Sequence, residues 1–133
     1  MGELTSAPPL KMLGILPGFK MKKYQEPVNY LTLLGKLPEG AEFTYKGKDL
    51  DMVHIFVFSK KDLKKYLPIA QNEIHKEGFV WVSWMRDRKG FESELSETLL
   101  KKIAREHNMV DVKDFSLDDK WDAMKMVWKK GIK

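Results

Sequence analysis

The groups in this sequence that could do chemistry gather where its apolar runs end. Glu26 and Asn29 follow the run Phe19–Tyr24, and Ser59 and Lys60 follow Met52–Phe58. Ser83, Trp84, Arg86 and Arg88 close the run Phe79–Met85, and Asp118, Asp119 and Trp121 lie in the turn before and at the start of the last run, Trp121–Trp128. In open α/β sheets ligands bind beyond the carboxyl ends of the strands, so these positions share one edge. Carboxylates, arginines, an amide and two indoles on one edge suit a small anionic ligand or a protein partner. The candidate ligand-binding set is Glu26, Asn29, Ser83, Trp84, Arg86, Asp118, Asp119 and Trp121. The leading expectation is binding without catalysis, and no catalytic residue is assigned. An enzyme of unrecognised type is the alternative. It would use Glu26, Ser83, Arg86 and the Asp118–Asp119 pair, and it requires them to converge on one open pocket.

Each of these residues also has a structural reading. His54 is flanked by apolar residues and reads as a hydrogen-bonded core histidine. Trp84 and Trp121 suit capping of the core. Arg86 suits either a bridge to Asp118 or Asp119 or the binding of an anion. Ser59 reads as a helix N-cap with Asp62 three residues on. His75 and His107 stand in no metal-ligand spacing, and the absence of cysteine removes disulfides and thiolate sites together. No metal site is expected. P-loop, G-x-S-x-G and kinase signatures are absent.

The elements that must position these groups follow from periodicity. Met52–Phe58 and Phe79–Met85 are nearly continuous apolar runs, as expected of strands buried on both faces of a parallel sheet. Between them Leu63, Tyr66, Leu67, Ala70 and Ile74 share a helical face, with Pro68 expected to kink or restart the helix and Gly78 to stop it. Further strands are expected at Phe19–Tyr24, Glu42–Lys46, Val110–Leu117 and Trp121–Trp128, and further helices at Val28–Leu34 and Glu97–His107. The last two strands are too close for a helical crossover and must pair antiparallel. Residues 1–12 read as a flexible tail, because Pro8-Pro9 blocks regular structure, and residues 13–133 as one α/β domain. The expected fold is a single mostly parallel sheet, helices on both faces, and an antiparallel C-terminal strand.

Several segments carry a resemblance. They are Leu13-Gly14-Ile15-x-Pro17-Gly18, Leu37-Pro38-Glu39-Gly40, His54-Ile55-Phe56-Val57, Leu67-Pro68 and Trp81-Val82-Ser83-Trp84. Val110-Asp111-Val112-Lys113 followed by Asp118-x-x-Trp121-x-x-x-Lys125 completes the set. Together they resemble a family of small bacterial proteins defined by a domain of unknown function. The resemblance implies a shortened class I methyltransferase-like sheet. That fold holds adenosylmethionine with a glycine-rich turn after the first strand and an acid at the end of the second. Here the first turn, Tyr24 to Asn29, has no glycine, and the second strand ends Tyr45-Lys46-Gly47 with no acid. No cofactor is therefore expected.

The chain of 133 residues carries a net charge of +5, which permits a nucleic-acid partner. Most of its lysine pairs sit on expected helix faces or at the terminus with acids nearby and read as a solvated surface, and its only arginines are Arg86, Arg88 and Arg105. Nucleic-acid binding is thus a further alternative, not the favoured one. No apolar run is long enough to span a membrane, and the N-terminus has no secretory pattern, so a cytoplasmic protein is expected.

Overall fold

A computed structural model describes residues 8–86 and 94–131. Arg88, Gly90 and the first seven residues lie outside the described part. The sheet is built on β3 (Leu50–Val57), where every residue but Asp51 is buried. Such a strand must be covered on both faces and paired on both sides. β1 (Lys20–Tyr24) and β4 (Ile74–Met85) flank it in parallel. β1 also pairs in parallel with the short β2 (Glu42–Phe43). Beyond β4 lie β5 (Met109–Ser116) and β6 (Trp121–Trp128), in the order β2-β1-β3-β4-β6-β5. β6 inserts between β4 and β5 and is antiparallel to both. The expected mixed sheet, mostly parallel with an antiparallel strand at its C-terminal end, is the one observed.

The two faces are covered by different helices. α1 (Pro9–Met12) and α2 (Tyr30–Leu34) border one core, where Leu13, Tyr30 and Leu34 meet Met21, Met52, Phe56 and Trp81. On the other face Leu63 and Leu67 of α3 (Lys60–Glu73) and Leu100 and Ile103 of α4 (Glu97–Glu106) meet Val53, Ile55, Val80 and Val82. The alternation along β3 follows from the two-residue strand period, with Met52 and Phe56 on one side and Val53, Ile55 and Val57 on the other. The caps behave as their residue types demand: Ser59 accepts from the Asp62 amide at 3.1 Å and Ser96 from the Leu99 amide at 3.1 Å.

Three local expectations change. Pro9–Met12 is helical, since proline at the first helical position has the right φ and no amide to lose. The Trp81 indole donates to the Leu13 carbonyl at 2.9 Å and ties this segment to the sheet. Pro68 does not restart the helix: α3 runs unbroken from Lys60 to Glu73 with Leu63, Leu67 and Ala70 buried. That burial offsets the missing hydrogen bond. Gly78 does not end a helix; α3 stops at Glu73 and β4 starts at Ile74.

The chain leaves β1 through α2 toward β2 and leaves β3 through α3 toward β4, in opposite directions. This is a topological switch point, the place where open α/β sheets bind ligands beyond the carboxyl ends of the two strands, here β1 and β3.

Candidate functional site at the strand ends

The turn after β1 turns sharply at Gln25, whose φ is 58°. This is the left-handed region that a glycine usually supplies. Gln25 is held there by its amide, which donates to the Phe56 carbonyl at 2.8 Å and to the Asp62 carboxylate at 3.3 Å. Asp62 also accepts from the Phe58 amide at 2.9 Å, so the turns after β1 and β3 are tied to the start of α3. Two apolar side chains stand open on these turns: Val28 is fully exposed and Phe58 is 55% exposed. The Phe58 ring meets Trp121 edge-on at 5.5 Å, and Trp121 meets Phe56 at 5.0 Å. Glu26 pairs with Lys23 at 2.7 Å. Asn29 is exposed and its side chain makes no capping bond to α2.

The second group of expected residues lies at the end of β4, the strand next to β3. Arg86 donates to the carbonyls of Asp118 (2.8 Å), Asp119 (3.2 Å) and Trp121 (3.2 Å) and to the Asp122 carboxylate (2.9 Å). It therefore clamps the β5–β6 turn through backbone, and its ion pair is with Asp122 and not with the carboxylates of Asp118 or Asp119. The Asp118 carboxylate accepts from the Lys120 and Trp121 amides, both at 2.8 Å, and closes the same turn. A cavity of about 450 Å³ lies beside this clamp, lined by Trp84, Arg86, Ser96, Glu97, Asp114 and Asp122 among others. A hydrogen bond to Asp114 raises the Glu97 carboxyl above its ordinary range.

Ser83 belongs to neither group. Its hydroxyl is 2.7 Å from His54 Nε2, and His54 Nδ1 is 2.8 Å from the Tyr30 hydroxyl. All three residues are buried. Neutral imidazole offers one donor and one acceptor, so one hydroxyl donates to it and the other accepts. Burial lowers the His54 pKa to about 3 and raises that of Tyr30. A serine beside a histidine resembles a nucleophile and its base, but this pair is sealed in the core. His54 is the core histidine expected from its neighbours.

The expected set is thus divided. Glu26 and Asn29 lie beyond β1, Trp84 and Arg86 line the cavity, Asp118, Asp119 and Trp121 form the clamped turn, and Ser83 is in the core. Of the residues the enzyme alternative would use, Arg86 lines this cavity, Ser83 is buried in the core and Glu26 is paired with Lys23. Sequence reading missed Phe58, taken as the end of a strand. It also missed Asp114 and Asp122, whose signal was an acid inside each of two strands. Among the described residues no group of three His, Asp or Glu could hold a metal, and no helix is long and apolar enough to cross a membrane.

No protein-family model and no curated protein matches the sequence. Solved structures do match the fold. A SAM-dependent methyltransferase from Aquifex aeolicus superposes with a TM-score of 0.62 at 11% identity, over 90% of this chain and 89% of that one. The DhpI–SAH complex gives 0.63 at 10% identity over 90% and 81%. A TehB-like SAM-dependent methyltransferase from Corynebacterium glutamicum gives 0.60 at 9% identity over 94% and 89%. The expectation of no cofactor is corrected by this finding, since these neighbours are SAM-dependent enzymes or hold SAH. That expectation rested on a missing glycine after the first strand and a missing acid at the end of the second; Gln25 takes the left-handed turn without a glycine. The chain has a shortened methyltransferase-like α/β fold, similar to that of SAM-dependent methyltransferases.

Proposed function

We propose that the chain binds SAM, or SAH, in the crevice beyond β1 and β3. The observation that carries the reading is the exposed pair Val28 and Phe58 on the two turns that flank the switch point. β3 buries the six residues before Phe58 and then leaves this ring in solvent. An open aromatic ring on one turn and a fully exposed valine on the other suit the seating of an adenine ring. The Asn29 amide, engaged by no capping bond, is the polar group to orient it, and Glu26 is the carboxylate at the same turn. The left-handed Gln25 brings backbone close to the ligand as glycine does elsewhere. When bound, SAM would supply an electrophilic methyl group; what these residues do is seat and orient it. The reading is of binding without catalysis. Ser83 and His54 are sealed from substrate, Glu26 is paired with Lys23, and Arg86 holds the β5–β6 turn. A cysteine-free chain suits the reducing cytoplasm, where we propose it works.

Thermal melting with and without ligand tests this. A ligand at about a hundred times its Kd stabilises by about 2.7 kcal/mol, which raises the melting temperature by several degrees. SAM or SAH is expected to give such a shift. Phe58→Ala is expected to abolish most of it while changing the ligand-free melting temperature far less. No shift with either ligand, or an equal shift in Phe58→Ala, would contradict the assignment.

A further inference from the structure

We propose that the groove between α3 and α4 binds the phosphate backbone of a single-stranded nucleic acid. This inference is independent of the crevice. In sequence the lysines of the two helices read as separate solvated faces. The fold brings them together, because both helices cover the same face of the sheet. Lys60 and Lys64 from α3 and Lys102 from α4 line one groove of about 70 Å³, with Leu99, Ile103 and Glu106. Lys60 and Lys64 stand one helical turn apart, and Lys102 faces them across the groove. Lys61 and Lys65 of α3 and Arg105 of α4 are exposed as well.

Lack of a carboxylate partner separates these lysines from several others, and their convergence on one groove separates them from the remaining unpaired lysines. Lys20, Lys22, Lys23 and Lys101 each meet a carboxylate. Among the described residues Lys60, Lys64 and Lys102 form no ion pair, and Glu106 is the one acid lining the groove. Three ammonium groups in a narrow channel repel one another, and a chain of phosphates relieves that repulsion and releases its own counterions. A groove of about 70 Å³ admits the phosphates of a single strand and not the convex face of a duplex. An anionic lipid surface fits less well, because the apolar lining, Leu99 and Ile103, is half-buried and buried. Lysine without arginine in the channel suits contact with phosphate and not the reading of base edges.

Fluorescence anisotropy of a short labelled single-stranded RNA with the whole chain tests this across a salt series starting at about 50 mM. Binding is expected at low salt and should fall steeply as salt rises. The triple variant Lys60→Gln/Lys64→Gln/Lys102→Gln is expected to bind at least about tenfold more weakly, with the log–log salt slope smaller by about 2. A charge-matched control, Lys36→Gln/Lys46→Gln/Lys48→Gln, is expected to bind as the parent does. Melting temperatures of both variants report whether each is folded. The proposal is overturned by lack of RNA binding at low salt or by equal loss in the two folded triple variants. It is also overturned if phosphatidylserine vesicles are bound and RNA is not.

Discussion

Gly78→Ala is expected to destabilise the domain by about 2–3 kcal/mol and to lower its melting temperature by roughly 10 °C. The reason is the close approach of β4 to the start of β3. A Cβ on Gly78 would lie 2.8 Å from the Leu50 carbonyl oxygen, 3.1 Å from that of Asp51 and 3.0 Å from the Ile74 Cβ. Two of these three atoms are backbone, and they belong to a strand that cannot move without disturbing both cores. The pairing of β3 with β4 already shifts register between Leu50 and Met52, so the chains have no second regular register here to adopt. Urea unfolding of Gly78→Ala beside Lys76→Ala makes the comparison. Lys76 is exposed two residues away, and its loss should stay within about 0.5 kcal/mol. Equal midpoints for the two variants would mean that the tight approach is absent.

The second large effect is on pH dependence. His54 is held neutral in the fold with a pKa of about 3, against about 6.5 when unfolded, because burial disfavours its charged form. The unfolded state therefore binds a proton that the native state refuses. This contribution is fully present above pH ~6.5 and is lost as pH falls toward 3, at about 1.4 kcal/mol for each pH unit. Between pH 6.5 and 5 the loss should reach about 2 kcal/mol, before most carboxylates begin to titrate. His54→Gln removes the titrating group and keeps a donor and an acceptor for Tyr30 and Ser83. Urea midpoints measured from pH 7 to 5 should fall in the parent and stay nearly level in His54→Gln. Parallel curves would show that His54 is not the source.

These two residues illustrate what can be read in a sequence of this kind. His54 was legible because its neighbours on both sides are apolar, which leaves a histidine little choice but the core. The runs around it defined the parallel strands for the same reason, and Ser59 and Ser96 marked helix starts through their capping chemistry. Gly78 was misread because a glycine required by a neighbouring strand carries the same local signal as one that ends a helix. The left-handed turn at Gln25 was not legible, because it is accompanied by a long-range bond to the Phe56 carbonyl that no local pattern contains. Asn29 and Glu26 were placed beyond β1 from topology alone, whereas the exposure of Phe58 was hidden at the end of a buried run. The lysine groove between α3 and α4 joins residues about forty positions apart, and only the folded chain brings them together.

The claim that SAM or SAH sits in the crevice beyond β1 and β3 is tested most directly by an amide chemical-shift titration of the labelled protein with SAH. The account predicts shifts concentrated at Gln25, Glu26, Val28, Asn29 and Phe58, on the two turns that flank the switch point, with β5 and the outer surfaces of α3 and α4 unmoved. Saturating SAH that perturbs no amide in those turns, or perturbs only the cavity beside Arg86 and Glu97, would contradict it.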